Sequence, residues 1–188
     1  PLSAPSLSHC PIHGPQALVN NTSGANNVAI GASGLGANIS GSSNTAVGNL
    51  ALLNNTASNN TAIGYSALAV NTTGTVNTAV GYSAMYSNTT GNVNTAVGLQ
   101  SLYSNTTGSN NSAFGYQALY SNTTGVENIA LGSRSLYSNK AGGSNIAIGS
   151  DVLSASDSAY GNIGIGTMAL KSNTKGSENI GIGRGALT

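Results

Sequence analysis

Residues 77–93 read Asn-Thr-Ala-Val-Gly-Tyr-Ser-Ala-Met-Tyr-Ser-Asn-Thr-Thr-Gly-Asn-Val, and this 17-residue unit decides the fold. Its opening motif, Asn-x-Ala-apolar-Gly, recurs along the chain, with Gly replacing Ala in the last two copies. Self-similarity at a fixed period is the signature of a repeat architecture. We call each copy a rung and number its positions from the Asn. Rungs begin at Asn27, Asn44, Asn60, Asn77, Asn94, Asn111, Asn128, Asn145, Asn162 and Asn179.

One rung is a residue shorter than the others. The spacing is 17 residues throughout, except for 16 between Asn44 and Asn60. The missing residue falls within 54–59, where other copies carry Asn-Thr-Thr-Gly. Because loops tolerate length changes better than the elements they connect, this part of the rung is predicted to be a loop.

Composition excludes an ordinary globular domain and several partners. Charged residues make up 5% of the chain, with no Trp and one Phe, so order has to come from regular repetition. The net charge is +1 and all charges lie from Glu127 onward, so we expect no nucleic-acid binding. No apolar run approaches the roughly 20 residues of a membrane helix, so we expect no membrane insertion. Because the chain starts without Met and stops in mid-repeat, we expect a segment of a longer polypeptide.

The columns of the repeat predict an all-β fold, a parallel β-solenoid or β-roll of 17-residue rungs. Positions 2 and 4 share one face of a strand, since side chains alternate with period two. Position 4 is always apolar and position 9 is Leu or Met, so both are predicted to face the core. The predicted core comprises Ile30, Val47, Ile63, Val80, Val97, Phe114, Leu131, Ile148, Ile165 and Ile182 at position 4, and Leu102, Leu119 and Leu136 at position 9.

The remaining columns predict turns and polar ladders. Gly at position 5 permits a turn with positive φ, and Asn-Thr-Thr-Gly at positions 12–15 is typical turn chemistry. Stacked at about 4.8 Å, the Asn residues at positions 1 and 12 would form hydrogen-bonded ladders. The predicted organisation is an irregular segment at 1–9, a degenerate capping rung at 10–26, and a ten-rung solenoid at 27–188 whose last rung is truncated.

The core residues also bear on the oligomeric state. Each rung offers only two or three large inward residues, fewer than a single chain needs to close its own core. Sharing one axis among three chains would relieve that shortage, and cyclic homo-oligomers are common. We therefore expect a homotrimer, intertwined or side by side.

The residues resemble two known groups of proteins. Asn-Thr-Ala-Val-Gly at 77–81 and 94–98, and Asn-Ile-Ala-Ile-Gly at 145–149, resemble the head repeats of trimeric autotransporter adhesins. The longer unit at 77–91 is similar to repeats of bacteriophage tail-fibre proteins. The resemblance covers 27–188 and implies a trimeric left-handed β-roll at a virion or cell surface.

Few residues suggest chemistry. Cys10 and His13 are candidate metal ligands in a trimer, although the spacing suits a polar cap as well. Tyrosines form two columns, at positions 6 and 10, whose rings could stack on sugars or simply cover their neighbours. These tentative binding residues are Tyr65, Tyr82, Tyr86, Tyr103, Tyr116, Tyr120 and Tyr137. The four Asn-Thr-Thr segments from Asn71 to Thr124 match the glycosylation sequon, or are turns only.

The functional expectation follows from these features. We expect no enzyme and no cofactor, because carboxylates are sparse and no nucleophile–base pair is apparent. The leading hypothesis is a structural shaft or head segment of a trimeric phage tail fibre or bacterial surface adhesin, extracellular or on a virion, that spaces or presents a surface for a host glycan or protein receptor. The alternatives are an ice-binding β-solenoid and a carbohydrate-binding tail-spike module.

Overall fold

A computed structural model describes residues 12–188, with side chains described from residue 14 onward. Within this range the fold is a parallel β-solenoid, as predicted: eleven short strands form one sheet in chain order, each pairing in parallel with the next. The strands are β1 (Ile12–His13), β2 (Val28–Ile30), β3 (Thr45–Val47), β4 (Thr61–Ile63), β5 (Thr78–Val80), β6 (Thr95–Val97), β7 (Ser112–Phe114), β8 (Ile129–Leu131), β9 (Ile146–Ile148), β10 (Ile163–Ile165) and β11 (Ile180–Ile182).

The strand register follows the sequence repeat. Thr78 pairs with Thr95, so equivalent positions of successive rungs lie one above another. In the short rung Thr45 pairs with Thr61, and the deletion leaves the register of the sheet intact. The missing residue is accommodated between positions 12 and 15. The Asn55 Nδ2 donates to the carbonyl of Ala57, two residues later, whereas in a regular rung the Asn71 Nδ2 donates to the carbonyl of Gly74, three residues later. β1 pairs with β2 in the same register, so the degenerate rung continues the stack.

The interior of each rung is closed by a single chain, and its contents differ from the prediction. The central strand residue, at position 3, points inward: Ala79, Ala96 and Ala113 are fully buried. Position 9 points inward from the opposite wall, and Leu102, Leu119 and Leu136 are fully buried. Small residues at position 8, such as Ala84, complete the core. Most rungs therefore bury one large apolar side chain, at position 9, and small residues at positions 3 and 8.

Position 4 lies on the outer face of the sheet, so its assignment to the core is wrong for the single chain. Because positions 2 and 4 flank the inward position 3, both point outward. Ile30 and Ile63 are each 41% exposed, and Leu131 is 48% exposed. The same outward orientation holds for the whole column: Ile30, Val47, Ile63, Val80, Val97, Phe114, Leu131, Ile148, Ile165 and Ile182.

The backbone bends around a core this narrow only with unusual dihedral angles. Leu at position 9 adopts positive φ in every rung, for example 53° at Leu102. The left-handed conformation costs a residue about 1–2 kcal/mol. Burying a leucine side chain contributes about 1.5–3 kcal/mol, which offsets that cost. Gly at position 5 has φ near 130°, as at Gly98 (132°), and a Cβ there would lie 2.7 Å from the carbonyl carbon of Gly115. Only glycine fits this position.

Two ladders of buried Asn side chains tie the rungs together. At position 1, the Asn111 Nδ2 donates to Asn94 Oδ1 (3.2 Å) and to the Gly125 carbonyl (2.8 Å). At position 12, the Asn105 Nδ2 donates to Asn88 Oδ1 (2.8 Å) and to the Gly108 carbonyl (2.9 Å). Both amide hydrogens of Asn111 and of Asn105 are thus bound, which is what makes a fully buried Asn tolerable.

Candidate functional site

The outer strand face, defined as positions 2 and 4 of the ten rungs that begin at Asn27 to Asn179, carries no charged side chain. Up to Phe114, position 2 is mostly Thr, with Val28 and Ser112 as exceptions, and position 4 is Val, Ile or Phe. From Ile129 onward both positions carry Ile or Leu. At the C-terminal end Ile180 and Ile182 are 63% and 67% exposed. The sheet thus presents two continuous columns of apolar or weakly polar groups to its surroundings.

The tyrosines at position 10 form one continuous stack. The ring centroids of Tyr86, Tyr103, Tyr120 and Tyr137 follow one another at 5.4, 5.2 and 5.3 Å, with interplanar angles of 10°, 7° and 9°. The parallel register places each ring directly over its equivalent one rung away, so stacking follows from the repeat itself. These four side chains are half-buried, so most of each interior ring face is already covered.

The tyrosines at position 6 are more exposed and form a shorter stack. The rings of Tyr65 and Tyr82 stack at 5.2 Å, and both side chains are about half exposed. Leu99 occupies this position in the next rung and separates them from Tyr116. Tyr160, which is not among the predicted binding residues, donates from its hydroxyl to the Ala141 carbonyl at 2.8 Å. It lies at position 16, where no other rung has an aromatic residue, so the column pattern did not reveal it.

Residues at positions 7, 10 and 11 line a cavity where the tyrosine stack ends. Arg134 and Asp151, both at position 7, form an ion pair in its wall: Nε and Nη2 of Arg134 donate to Asp151 Oδ1 at 2.8 and 2.6 Å. The cavity has a volume of about 330 Å³. It is lined by Gln117, Arg134, Tyr137, Ser138, Asp151, Ser154 and Ala155.

A second cavity is lined by the same three positions in the first rungs. Its volume is about 350 Å³, but its walls hold neither an aromatic nor a charged side chain. The walls are formed by Gln16, Val19, Asn20, Ser33, Gly36, Ala37, Leu53 and Asn54. The first cavity is therefore the chemically richer of the two.

Two titratable groups, Tyr120 in the tyrosine stack and Arg134 in the wall of the first cavity, have altered pKa values. Burial, reinforced by the neighbouring hydroxyls of Tyr103 and Tyr137, raises the pKa of Tyr120 above its ordinary value. The hydrogen bond from Arg134 to the carboxylate of Asp151 raises the pKa of the guanidinium. Both groups therefore keep their ordinary neutral-pH forms, a phenol and a cation.

The sequon asparagines are structural in the folded chain. Asn71, Asn88, Asn105 and Asn122 are fully buried members of the position-12 ladder. The Asn71 Nδ2, to which a glycan would be attached, donates to Asn55 Oδ1 (2.6 Å) and to the Gly74 carbonyl (2.9 Å). A glycan would replace one of the two Nδ2 hydrogens, so one bond would be lost, and the sugar would have to fit at a fully buried side chain. This favours the interpretation of these segments as turns.

The metal hypothesis concerns residues at the start of the chain. Cys10 lies outside the described residues, and the His13 side chain is not described, so the metal hypothesis stays a prediction. Within the described part of the chain, no three His, Cys, Asp or Glu side chains cluster as metal ligands would. No helix in residues 12–188 is long and apolar enough to cross a bilayer.

Comparison with known proteins leaves the family open. No protein-family model, no curated protein and no solved structure matches this chain.

Proposed function

We propose that this chain is a structural segment of a homotrimeric fibre, in a phage tail fibre or a bacterial surface adhesin, which spaces or presents a receptor-binding surface outside the cell. The observation that carries the proposal is the outer strand face. Monomeric soluble proteins rarely expose contiguous apolar patches larger than a few hundred Å². Here the apolar column at position 4 continues over ten strands, or about 43 Å at 4.8 Å between strands, and Ile fills position 2 beside it from Ile129 onward.

The composition of the outer strand face favours other copies of the same chain as its cover. No residue at position 2 or 4 of the ten rungs is charged, so identical faces can pack together without electrostatic repulsion. Three chains placed in parallel around one axis bring each apolar residue against its own equivalents. A rod assembled in this way hides its apolar face and leaves the tyrosine columns and loops at its surface.

The shortage of core residues does not support the trimer, because the single chain already closes its own interior with Ala at positions 3 and 8 and Leu at position 9. The proposal therefore rests on the outward columns alone. It corresponds to three complete solenoids lying side by side, rather than to intertwined chains.

The mass in solution tests the proposal. At micromolar concentration, light scattering should give three times the chain mass of 18.4 kDa. Leu131→Lys places a charge in the outer strand face and should shift the protein toward monomer, with its β-sheet circular dichroism retained. Thr124→Lys introduces the same side chain at an exposed loop position and should leave the trimer unchanged. A monomeric wild-type protein would refute the trimer.

Ice binding is the second candidate, and a specific observation favours it. Thr45, Thr61, Thr78 and Thr95 form a regular outward column on the strand face, unlike the paired threonines of the loops. Ice binding requires this face to be free in solution, whereas the trimer covers it. A monomer that shows thermal hysteresis would therefore establish ice binding in place of the fibre role.

The proposal includes no catalytic step. Within residues 12–188, Asp151 and Asp157 form ion pairs with Arg134 and Lys140, respectively. Glu127 and Glu178 stand at position 17 in exposed loops. Paired carboxylates facing each other across a substrate groove, as glycoside hydrolysis requires, are not formed by these four groups.

A further inference from the structure

The tyrosine stack at position 10 ends abruptly, and it ends at a cavity. Tyr120 covers one face of the Tyr137 ring at 5.3 Å. In the next rung the equivalent position is Ser154, whose side chain is too small to cover the other face. The cavity of about 330 Å³ lies at this place, with Tyr137 and Ser154 in its wall. One ring of the stack therefore presents a bare aromatic face to a space of ligand size.

The polar groups around that face are those that bind hydroxyl groups. Gln117 donates one amide hydrogen to Gln100 Oε1 (3.0 Å), which leaves its amide oxygen and its second amide hydrogen for a ligand, and Ser138 and Ser154 offer hydroxyls. Arg134 uses Nε and Nη2 on Asp151, which leaves the Nη1 hydrogens for another acceptor. Ligand sites combine such a flat apolar surface with a few convergent polar groups.

The charge balance at the cavity narrows the class of ligand. Arg134 and Asp151 are paired at 2.6 Å, so the wall carries a cation and an anion that neutralise each other. The Asp151 side chain is only 16% exposed, which favours a fixed position for the pair. A phosphate or a sulfated sugar would meet the carboxylate as well as the guanidinium. An uncharged ligand with several hydroxyls, by contrast, finds a donor and an acceptor together.

We infer that the cavity beside Tyr137 binds an uncharged pyranose ring of a carbohydrate, with the sugar continuing the aromatic stack in the place left by Ser154. The C–H face of the sugar lies on the Tyr137 ring, and its hydroxyls bond to Arg134, Asp151 and Gln117. The inference rests on the proposed function in one respect: it names the class of receptor, a carbohydrate, that the displayed surface binds. The site shares no lining residue with the outer strand face. An experiment can therefore refute the sugar site without refuting the trimer, and the reverse.

A filling substitution tests the site without removing any residue of the stack. Ser154→Tyr adds a fifth ring at the equivalent position and occupies the cavity. Ser158→Tyr is the matched control, because it makes the same change in the same rung at an exposed position outside the cavity. The probes are the methyl pyranosides of glucose, galactose, mannose and N-acetylglucosamine, titrated into the full chain in its own oligomeric state and followed by saturation-transfer NMR.

The expected result is saturable binding of at least one of these glycosides to the wild-type protein. Binding should fall at least tenfold in Ser154→Tyr and stay unchanged in Ser158→Tyr. Failure of all four glycosides to bind, or undiminished binding to Ser154→Tyr, would overturn the inference. Light scattering on the same samples reports the oligomeric state, so a trimer without sugar binding refutes only the site.

Discussion

Two adjacent rungs, 128–144 and 145–161, have the same strand register but differ in the buried residues at positions 12 and 15. In the first, Asn139 at position 12 donates to Asn122 Oδ1 (2.8 Å) and to the carbonyl of Gly142 at position 15 (3.0 Å). In the second, Ser156 and Ala159 replace that Asn and Gly. The Asn ladder stops there: the buried Asn139 Oδ1 and Ser156 Oγ have no hydrogen-bond partner among the described atoms.

The two rungs indicate that positions 12 and 15 are coupled, because the residue that fits at one position depends on the residue at the other. In the regular rungs a Cβ added at position 15 would overlap the Oδ1 of the Asn at position 12 and a carbonyl of the next rung, as at Gly125. Ala159 is therefore compatible with Ser156, whose side chain is shorter, but not with Asn. The repeat unit thus tolerates a change of both residues better than a change of either one.

Rung 145–161 contains a second coupled change. Val152 stands at position 8, where most rungs have Ala or Ser, and Gly164 stands at position 3 of the following rung, where most have Ala. A Cβ on Gly164 would lie 2.5 Å from Val152 Cγ1. The larger side chain on one wall is accommodated by the smaller one on the other, since the interior is close-packed.

The largest effect is expected when position 15 alone is changed in a regular rung. Gly125→Ala forces a methyl group against Asn122 Oδ1 and the Gly142 carbonyl, and should lower the free energy of unfolding by about 3 kcal/mol. Chemical denaturation followed by circular dichroism measures it. Gly34→Ala is the control: its nearest neighbour would be 3.6 Å away, and most rungs already carry Ala at that position, so stability should be unchanged or slightly higher.

The next effect concerns repair of the Asn ladder. Ser156→Asn alone should destabilise the protein by about 2 kcal/mol, because the amide meets the Ala159 methyl group. Adding Ala159→Gly makes room for it and restores the bond to Asn139 Oδ1, so the double variant should be at least as stable as the wild type. The double-mutant cycle should give a coupling energy of about 2 kcal/mol. Additive effects would show that the two positions are independent.

A smaller effect is expected from the Val152 and Gly164 pair. Gly164→Ala should cost about 1–2 kcal/mol through overpacking against Val152. The double variant Val152→Ala with Gly164→Ala recreates the Ala–Ala pair of Ala84 and Ala96 and should recover most of that loss. Thermal unfolding of the four proteins measures the cycle, and a double variant less stable than Gly164→Ala would contradict it.

The smallest effect is a pH dependence of the tyrosine stack. The pKa of Tyr120 is raised in the folded protein, so the folded state holds its phenolic proton more tightly than the unfolded chain does. This contribution to stability is complete below the ordinary tyrosine pKa of about 10 and is lost as the pH rises through the folded value. The melting temperature of the wild type should therefore fall more between pH 8 and 10.5 than that of Tyr120→Phe. An identical fall in both proteins would contradict this.

The candidate site was only partly predictable from sequence. The tyrosine columns at positions 6 and 10 follow from the repeat, because a parallel register places equal positions over one another. The cavity beside Tyr137 could have been sought at the one place where the position-10 stack meets a small residue, Ser154. The ion pair of Arg134 with Asp151 needed the fold, since charges 17 residues apart become neighbours only when rungs stack.

Four features could be predicted from the sequence: the period, the parallel register, the shortened loop within residues 54–59 and the need for Gly at position 5. Each of these depends on the repeat or on local backbone conformation, and both are readable along the chain. Only the tertiary structure decided which face of each strand points inward. Alternation places positions 2 and 4 together but does not choose their side, and hydrophobicity alone suggested the larger side chains of position 4. The narrow interior, already filled by Leu at position 9, accepts only the methyl group of Ala at position 3, so the aliphatic columns were left outside.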